Sequence, residues 1–174
     1  MSLKELEDYI YAYGGDLYSF CCSLTRCRQE ADDLYQETFL KVYEMRENLL
    51  IEKNPKAYLM TISVNLYRNY KRKCSVRQRI VGMPVPIEEK ADEIPSTEQT
   101  TEEQVLRREK CQILRDEVKK LPDKYKIPIL LFFMEELSLK DIAEVMKLPE
   151  GSIKSRIHRA KKILKQRLEE GRYE

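Results

Sequence analysis

The sequence predicts an all-α protein built of two small helical domains joined by a flexible acidic linker, the second domain ending in a helix-turn-helix. Three observations carry this. Apolar residues recur at helical spacing over most of the chain, with no strand-like alternation anywhere. Between residues 75 and 103 the periodicity lapses, and Pro84, Pro86 and Pro95 with S-T-E-Q-T-T mark a joint. Charge divides the chain at the same places: Lys+Arg stand against Asp+Glu as 11 to 11 in residues 1–74, 3 to 7 in residues 75–103 and 18 to 12 in residues 104–174. A chain of 174 residues is long enough for one core or two small ones.

In the first block, residues 4–13 read as a short helix with Leu6, Tyr9, Ile10 and Tyr13 on one side, ended by Gly14-Gly15. Residues 16–26 form a second, with Leu17, Phe20, Cys21 and Leu24 inward. The third spans residues 30–46. Its buried stripe is Ala31, Leu34, Thr38 and Val42, while Asp32, Asp33, Gln36 and Glu37 cluster away from it. Acids in the first turns favour the helix dipole, which explains the cluster by stability alone. Tyr35, Phe39 and Tyr43 remain, more than one stripe buries, and an acid-edged apolar face suggests a docking surface. After Asn54-Pro55 a fourth helix covers residues 56–73, with Ala57, Leu59, Ile62, Leu66 and Tyr70 assigned to the core. Its far end collects Tyr67, Arg68, Tyr70, Lys71, Arg72 and Lys73. The dipole accounts for cations there too, yet cations interleaved with aromatics and an amide such as Asn65 also suit unstacked single-stranded bases.

In the second block, helix resumes over residues 101–120. Leu121-Pro122 starts the next helix, with Ile127, Leu130, Leu131 and Met134 as core and a bend or late start expected at Pro128. Residues 137–168 then carry two helices and a tight turn. The first is capped by Ser138 with Asp141 three residues on, and its apolar face is Leu139, Ile142, Ala143 and Met146. Leu148 closes the turn and Pro149 suits the start of the next helix. There Ile153, Ile157, Ala160 and Leu164 make one stripe, and Lys154, Ser155, His158, Arg159, Lys162 and Lys165 fall on the other side. No acid lies between Glu150 and Glu169. Such one-sided charge fits a helix in a DNA major groove, where phosphates favour cations and repel carboxylates. A solvated or membrane-surface amphipathic helix is the alternative.

Composition narrows the classes. Charged residues make up 36% of the chain, no apolar run approaches the roughly 20 residues of a membrane span, and acids interrupt the N-terminal residues where a signal peptide would need an apolar core. A cytoplasmic protein without membrane insertion is expected. Cys21, Cys22, Cys27, Cys74 and Cys111 form no C-x-x-C pair, so reduced thiols, no metal site and no cofactor are expected. A small helical enzyme finds no Gly-rich phosphate loop or nucleophile-base pairing in its favour.

Two stretches in order resemble one family. D-D-L-Y-Q-E-T-F-L-K-V-Y resembles the D-L-x-Q-E-x-F motif of bacterial sigma factors, and I-A-E-V-M-K-L-P-E-G-S-I-K-S-R-I-H-R-A-K resembles their C-terminal I-A-x-x-L-x-x-P-x-G-T-V-K-S-R-x-x-R-A-R motif. With only a short linker between them, the chain is similar to an extracytoplasmic-function (ECF) sigma factor over residues 3–73 and 104–168. The resemblance implies a non-enzymatic transcription initiation factor that binds core RNA polymerase and promoter DNA and is held by an anti-sigma factor. It implies core-polymerase docking by Asp33, Gln36, Glu37, Phe39 and Tyr43, and minus-ten recognition and melting by Asn65 with Tyr58, Thr61, Lys71 and Arg72. Minus-thirty-five recognition falls to Lys154, Ser155, His158 and Arg159, with Lys162 on the same helix face. Tyr58 stands where the family commonly has Trp, and Asn69 where it often has Asp. An autonomous helix-turn-helix regulator, dimeric on an operator, is the competing reading, and it leaves the acid-aromatic helix unexplained.

Overall fold

The structure is a computed structural model that describes residues 3–45, 54–81 and 102–170, and every regular element in them is an α-helix. Helix α1 spans Leu3–Leu24 and α2 spans Arg28–Glu44. Helix α1 runs unbroken through Gly14-Gly15, where the sequence predicts an end. Glycine in a helix interior costs about 1 kcal/mol against alanine, and tertiary packing overrides that here. Gly14 is buried against α2, and a Cβ on it would come within 3.0 Å of the Tyr35 hydroxyl. The expected inward residues Leu17, Phe20, Cys21 and Leu24 are fully buried, as is the stripe Ala31, Leu34, Thr38 and Val42 of α2. Thr38 fits that stripe because its hydroxyl donates to the Leu34 carbonyl at 2.7 Å.

Helix α3 spans Pro55–Val81. Asn54 caps it, its Oδ1 accepting the Ala57 N–H at 3.1 Å, and Pro55 needs no partner in the first turn. Leu59, Met60, Ile62, Val64 and Tyr67 are buried. Tyr70, assigned to the core from sequence, is 50% exposed and hydrogen-bonds Glu30 at 3.4 Å. The helix continues past Cys74 into the expected linker; residues 82–101, and with them its expected flexibility, lie outside the described residues.

Helices α4 (Glu102–Lys119), α5 (Asp123–Phe133), α6 (Leu139–Met146) and α7 (Glu150–Glu170) form the second block. Pro128 lies inside α5 without delaying its start or ending it, while Met134 at its end is exposed rather than core. Ser138 caps α6 as predicted, accepting the Asp141 N–H at 3.1 Å. Lys147 ends α6 in the left-handed region with φ 55°, and the Leu148 N–H closes on the Ala143 carbonyl at 3.0 Å. Ile153, Ile157, Ala160 and Leu164 of α7 are buried as the periodicity requires.

The two blocks pack against each other. One cluster of buried side chains runs from Phe20, Leu59 and Tyr67 into Ile127, Leu131, Ile142, Met146 and Ile153, and a smaller one joins Leu121 and Ile129 to Ala160 and Leu164. Helix α6 lies along α3, and α5 touches α1.

Candidate nucleic-acid and partner-binding surfaces

Helix α7 buries its isoleucines and thereby turns Lys154, Ser155, His158, Arg159 and Lys162 outward, all five exposed. Lys165 is also exposed but leans on Glu169 at 3.8 Å. Arg159, more than Lys124, holds the phenol of Tyr125 below its ordinary pKa. Tyr125 therefore borders the exposed basic face of α7, a neighbour too far along the chain for periodicity to reveal. Lys161 sits 4.8 Å above the Phe133 ring, at the junction of α5 and α7.

Along α3, Tyr58, Thr61, Asn65 and Arg72 share one face by spacing. Tyr58, Thr61 and Asn65 are half-buried and Arg72 is exposed. Thr61 donates its hydroxyl to the Ala57 carbonyl at 2.8 Å, so its methyl and oxygen lone pairs are what it offers outward. No hydrogen bond to another described residue occupies the Asn65 amide. Burial raises the Tyr58 pKa, keeping a neutral ring there. Lys71 is separated from this group: it faces α5, its Nζ 2.7 Å from Asp123 Oδ2. Arg68, one turn beyond Asn65, is half-buried with Nη2 3.1 Å from Met146 Sδ of α6.

On α2, Asp33, Gln36 and Glu37 are exposed, and Tyr43 at 37% exposure shares their side of the helix. Phe39 is half-buried, edge-on to Tyr35 at 5.1 Å, so it backs the face more than it forms it. Asp32 belongs to the fold, since Tyr18 donates to its Oδ1 at 2.9 Å. Sequence reading missed Leu40, which is 62% exposed in the middle of this surface. The signal was present: Leu40 follows Asp33 by seven residues and Glu37 by three, which places all three on one side.

Charged groups also tie the two blocks together. Lys126, only 6% exposed, reaches the Leu24 carbonyl at 3.1 Å and Asp123 Oδ1 at 3.3 Å. Burial pushes its pKa down against the pull of Asp123. Glu135, 2% exposed, meets Lys56 at 3.1 Å without the alignment of a hydrogen bond, and burial pushes its carboxyl up despite that lysine. Cys21 is a core group whose thiol burial pushes up to about 12. Among the described residues no helix is long and apolar enough to cross a membrane.

Residues 10–77 match the family model for Sigma-70 region 2, and residues 111–164 match that for Sigma-70, region 4. The chain is 30% identical over 146 residues to the ECF RNA polymerase sigma-E factor of Haemophilus influenzae, covering 82% of this chain and 76% of that one. The chain belongs to the ECF sigma factors. It is also similar to the ECF sigma factor SigW of Bacillus subtilis, 28% identical over 163 residues, with 92% of this chain and 87% of SigW covered. In fold it is similar to the sigma factor RpoE of Bartonella quintana, solved in complex with the anti-sigma factor NepR (TM-score 0.79, 23% identity, 96% of this chain and 98% of that one). CnrH, solved with the cytosolic domain of CnrY, shares the fold at TM-score 0.69 and 18% identity, covering 97% and 90%. This sigma factor is thus a transcription initiation factor working with core RNA polymerase at promoter DNA, and a regulator acting alone is not favoured. Its family consists of sigma factors, which are not enzymes.

Proposed function

We propose that the sigma factor divides promoter recognition between its two blocks. Residues 1–74 bind core polymerase and the minus-ten element, residues 75–103 connect, and residues 104–174 read the minus-thirty-five element. On α2, Asp33, Gln36 and Glu37 rim a docking face whose apolar centre is Leu40 and Tyr43, with Phe39 behind it. On α3, Asn65 is the chief contact to an unstacked non-template base, Tyr58 and Thr61 wall its pocket, and Lys71 and Arg72 meet phosphates. On α7, Lys154, Ser155, His158 and Arg159 face base edges, with Lys162 toward the backbone. The chain has no catalytic role of its own, works in the cytoplasm, and is held inactive by an anti-sigma factor, as the RpoE complex suggests by analogy.

The observation that carries this reading is the outward row of five polar and basic side chains on α7, with no acid between Glu150 and Glu169. The test mixes the protein with core polymerase and a promoter library and sequences the run-off transcripts. A shared pair of promoter elements is expected. Failure to bind core, with no specific transcript, overturns the reading. A pull-down from cells with and without envelope stress identifies the inhibitory partner.

A further inference from the structure

Helix α5 packs on α7 through Ile129, which meets Ala160 and Leu164, and it carries an aromatic residue towards each end, Tyr125 and Phe133. Phe133 is 53% exposed, so the core does not account for it. Its ring is braced all the same. Phe132 meets it edge-on at 5.0 Å, and the exposed Lys161 of α7 places its ammonium 4.8 Å from the ring centre. Tyr125 repeats the arrangement at the other end: it packs on the smaller core cluster, and the exposed Lys124 brings its ammonium 4.9 Å from the ring centre. Neither ammonium has a carboxylate at ion-pairing distance among the described residues, whereas Lys165 has Glu169 at 3.8 Å. The two rings also straddle the exposed face of α7. Arg159, near Tyr125, and Lys161, on Phe133, are two residues apart and so point about 160° from each other around the helix. Lys154, Ser155, His158 and Lys162 fall in the arc between them. Along α5 the rings are eight residues apart, about 12 Å by helical rise, which matches the width of about 12 Å of a DNA major groove.

We propose that Tyr125 and Phe133 are positioning residues, aromatic seats that hold Lys124 and Lys161 against the two phosphate walls of the groove that α7 enters. This rests on the reading of α7 as the minus-thirty-five contact. A ring does not bond a phosphate, so each acts through its lysine. A lysine free in solvent gives up much rotamer freedom when it meets a phosphate, and one already lying on a ring gives up less. The negative face of the ring attracts the ammonium without neutralising it. A carboxylate in the same place would have to be displaced by the incoming phosphate, so the aromatic seat orders the cation and leaves its charge available.

The test uses the full chain assembled with core polymerase. The probes are a labelled promoter duplex taken from the promoter library and the same duplex with its minus-thirty-five element scrambled. Fluorescence anisotropy measures binding across a potassium chloride series, and thermal melts report the folding of each variant. Phe133→Leu is expected to weaken both duplexes roughly two- to fivefold. Lys161→Gln is expected to weaken both and to flatten the salt dependence by about one cation, and adding Phe133→Leu to it changes nothing further. Phe133→Trp keeps a ring face and wild-type affinity. Tyr125→Leu and Tyr125→Phe make the same comparison at the other end, the first losing affinity through Lys124 and the second keeping it. Phe133→Met serves if Phe133→Leu does not fold. A Phe133→Leu loss of equal size with and without Lys161, or confined to the intact promoter, means that the ring touches DNA itself and overturns the seat. Unchanged affinity in both leucine variants overturns it as well. Two further variants separate the two readings. If Lys154→Ala and Arg159→Ala bind both duplexes like wild type, the reading of α7 fails. If they weaken binding to the intact promoter while the leucine variants match wild type, only the seats fail.

Discussion

Arg159 and Lys162 are both exposed cations on α7, yet their surroundings set them apart. Arg159 lies near Tyr125 of α5, whose phenol it holds below the ordinary pKa. The planar fork of a guanidinium suits bidentate reading of a guanine edge, whereas an ammonium suits a phosphate. Arg159→Ala is therefore expected to relax one position of the minus-thirty-five element by about 1–3 kcal/mol, read as the base preferences of transcripts from a promoter library. Lys162→Ala is expected to weaken all sequences alike and lower the salt dependence of binding. Sequence spacing alone placed both outside, because burying Ile153 and Ile157 leaves the other face no choice. It could not place Tyr125 beside Arg159, since that proximity is made by α5 packing on α7. Leu40 shows the converse: spacing places it on the acid-edged face, but only packing decides that an apolar side chain there stays 62% exposed.

Helices in this chain owe their limits to a few local devices. Ser138 supplies the side-chain acceptor at the α6 N-terminus, so Ser138→Ala is expected to lower stability by about 1 kcal/mol, measured by thermal or denaturant unfolding. Gly14 and Gly15 adjoin in the middle of α1 but differ in surroundings. A Cβ at Gly15 meets nothing within 4 Å, while one at Gly14 meets the Tyr35 hydroxyl, whose ring is wedged edge-on by Tyr18 and Phe39. Gly15→Ala is expected to stabilise by roughly 0.5–1 kcal/mol, and Gly14→Ala to melt below Gly15→Ala. Equal melting temperatures for the two would refute this account of why α1 passes through both. A glycine pair normally ends a helix, and the expectation of an end there was sound as local chemistry. What overrode it was the approach of α2, a contact between residues 21 apart in sequence.

At the scale of the molecule, the two blocks share a core and are pinned by charges, so their association depends on pH. Asp123 is pushed up by burial, but Lys71 and Lys126 outweigh that and hold its carboxyl below the ordinary range. A depressed folded-state pKa stabilises above the unfolded value and is lost as pH falls through the folded one. Wild type should exceed Asp123→Asn in stability by roughly 1–2 kcal/mol at neutral pH, discounted for the partial exposure of Asp123, with the gap closing as pH falls below about 4. Melts of both proteins across that range check it; a gap constant with pH would remove Asp123 from the junction's energetics. Glu135 works in the opposite sense. Its raised pKa favours the folded state at acid pH, and that advantage fades as pH rises through the folded value. By itself the sequence determined the all-helical character of the chain, the apolar stripes of α2 and α7 and the outward cations, because each follows from the 3.6-residue period and capping chemistry of nearby residues. Only tertiary structure decided that Tyr70 and Met134 stay outside, that α1 is continuous, and that α6 covers Arg68. Periodicity fixes which side of a helix seeks cover, and the choice of the element that covers it belongs to packing between residues far apart in the chain.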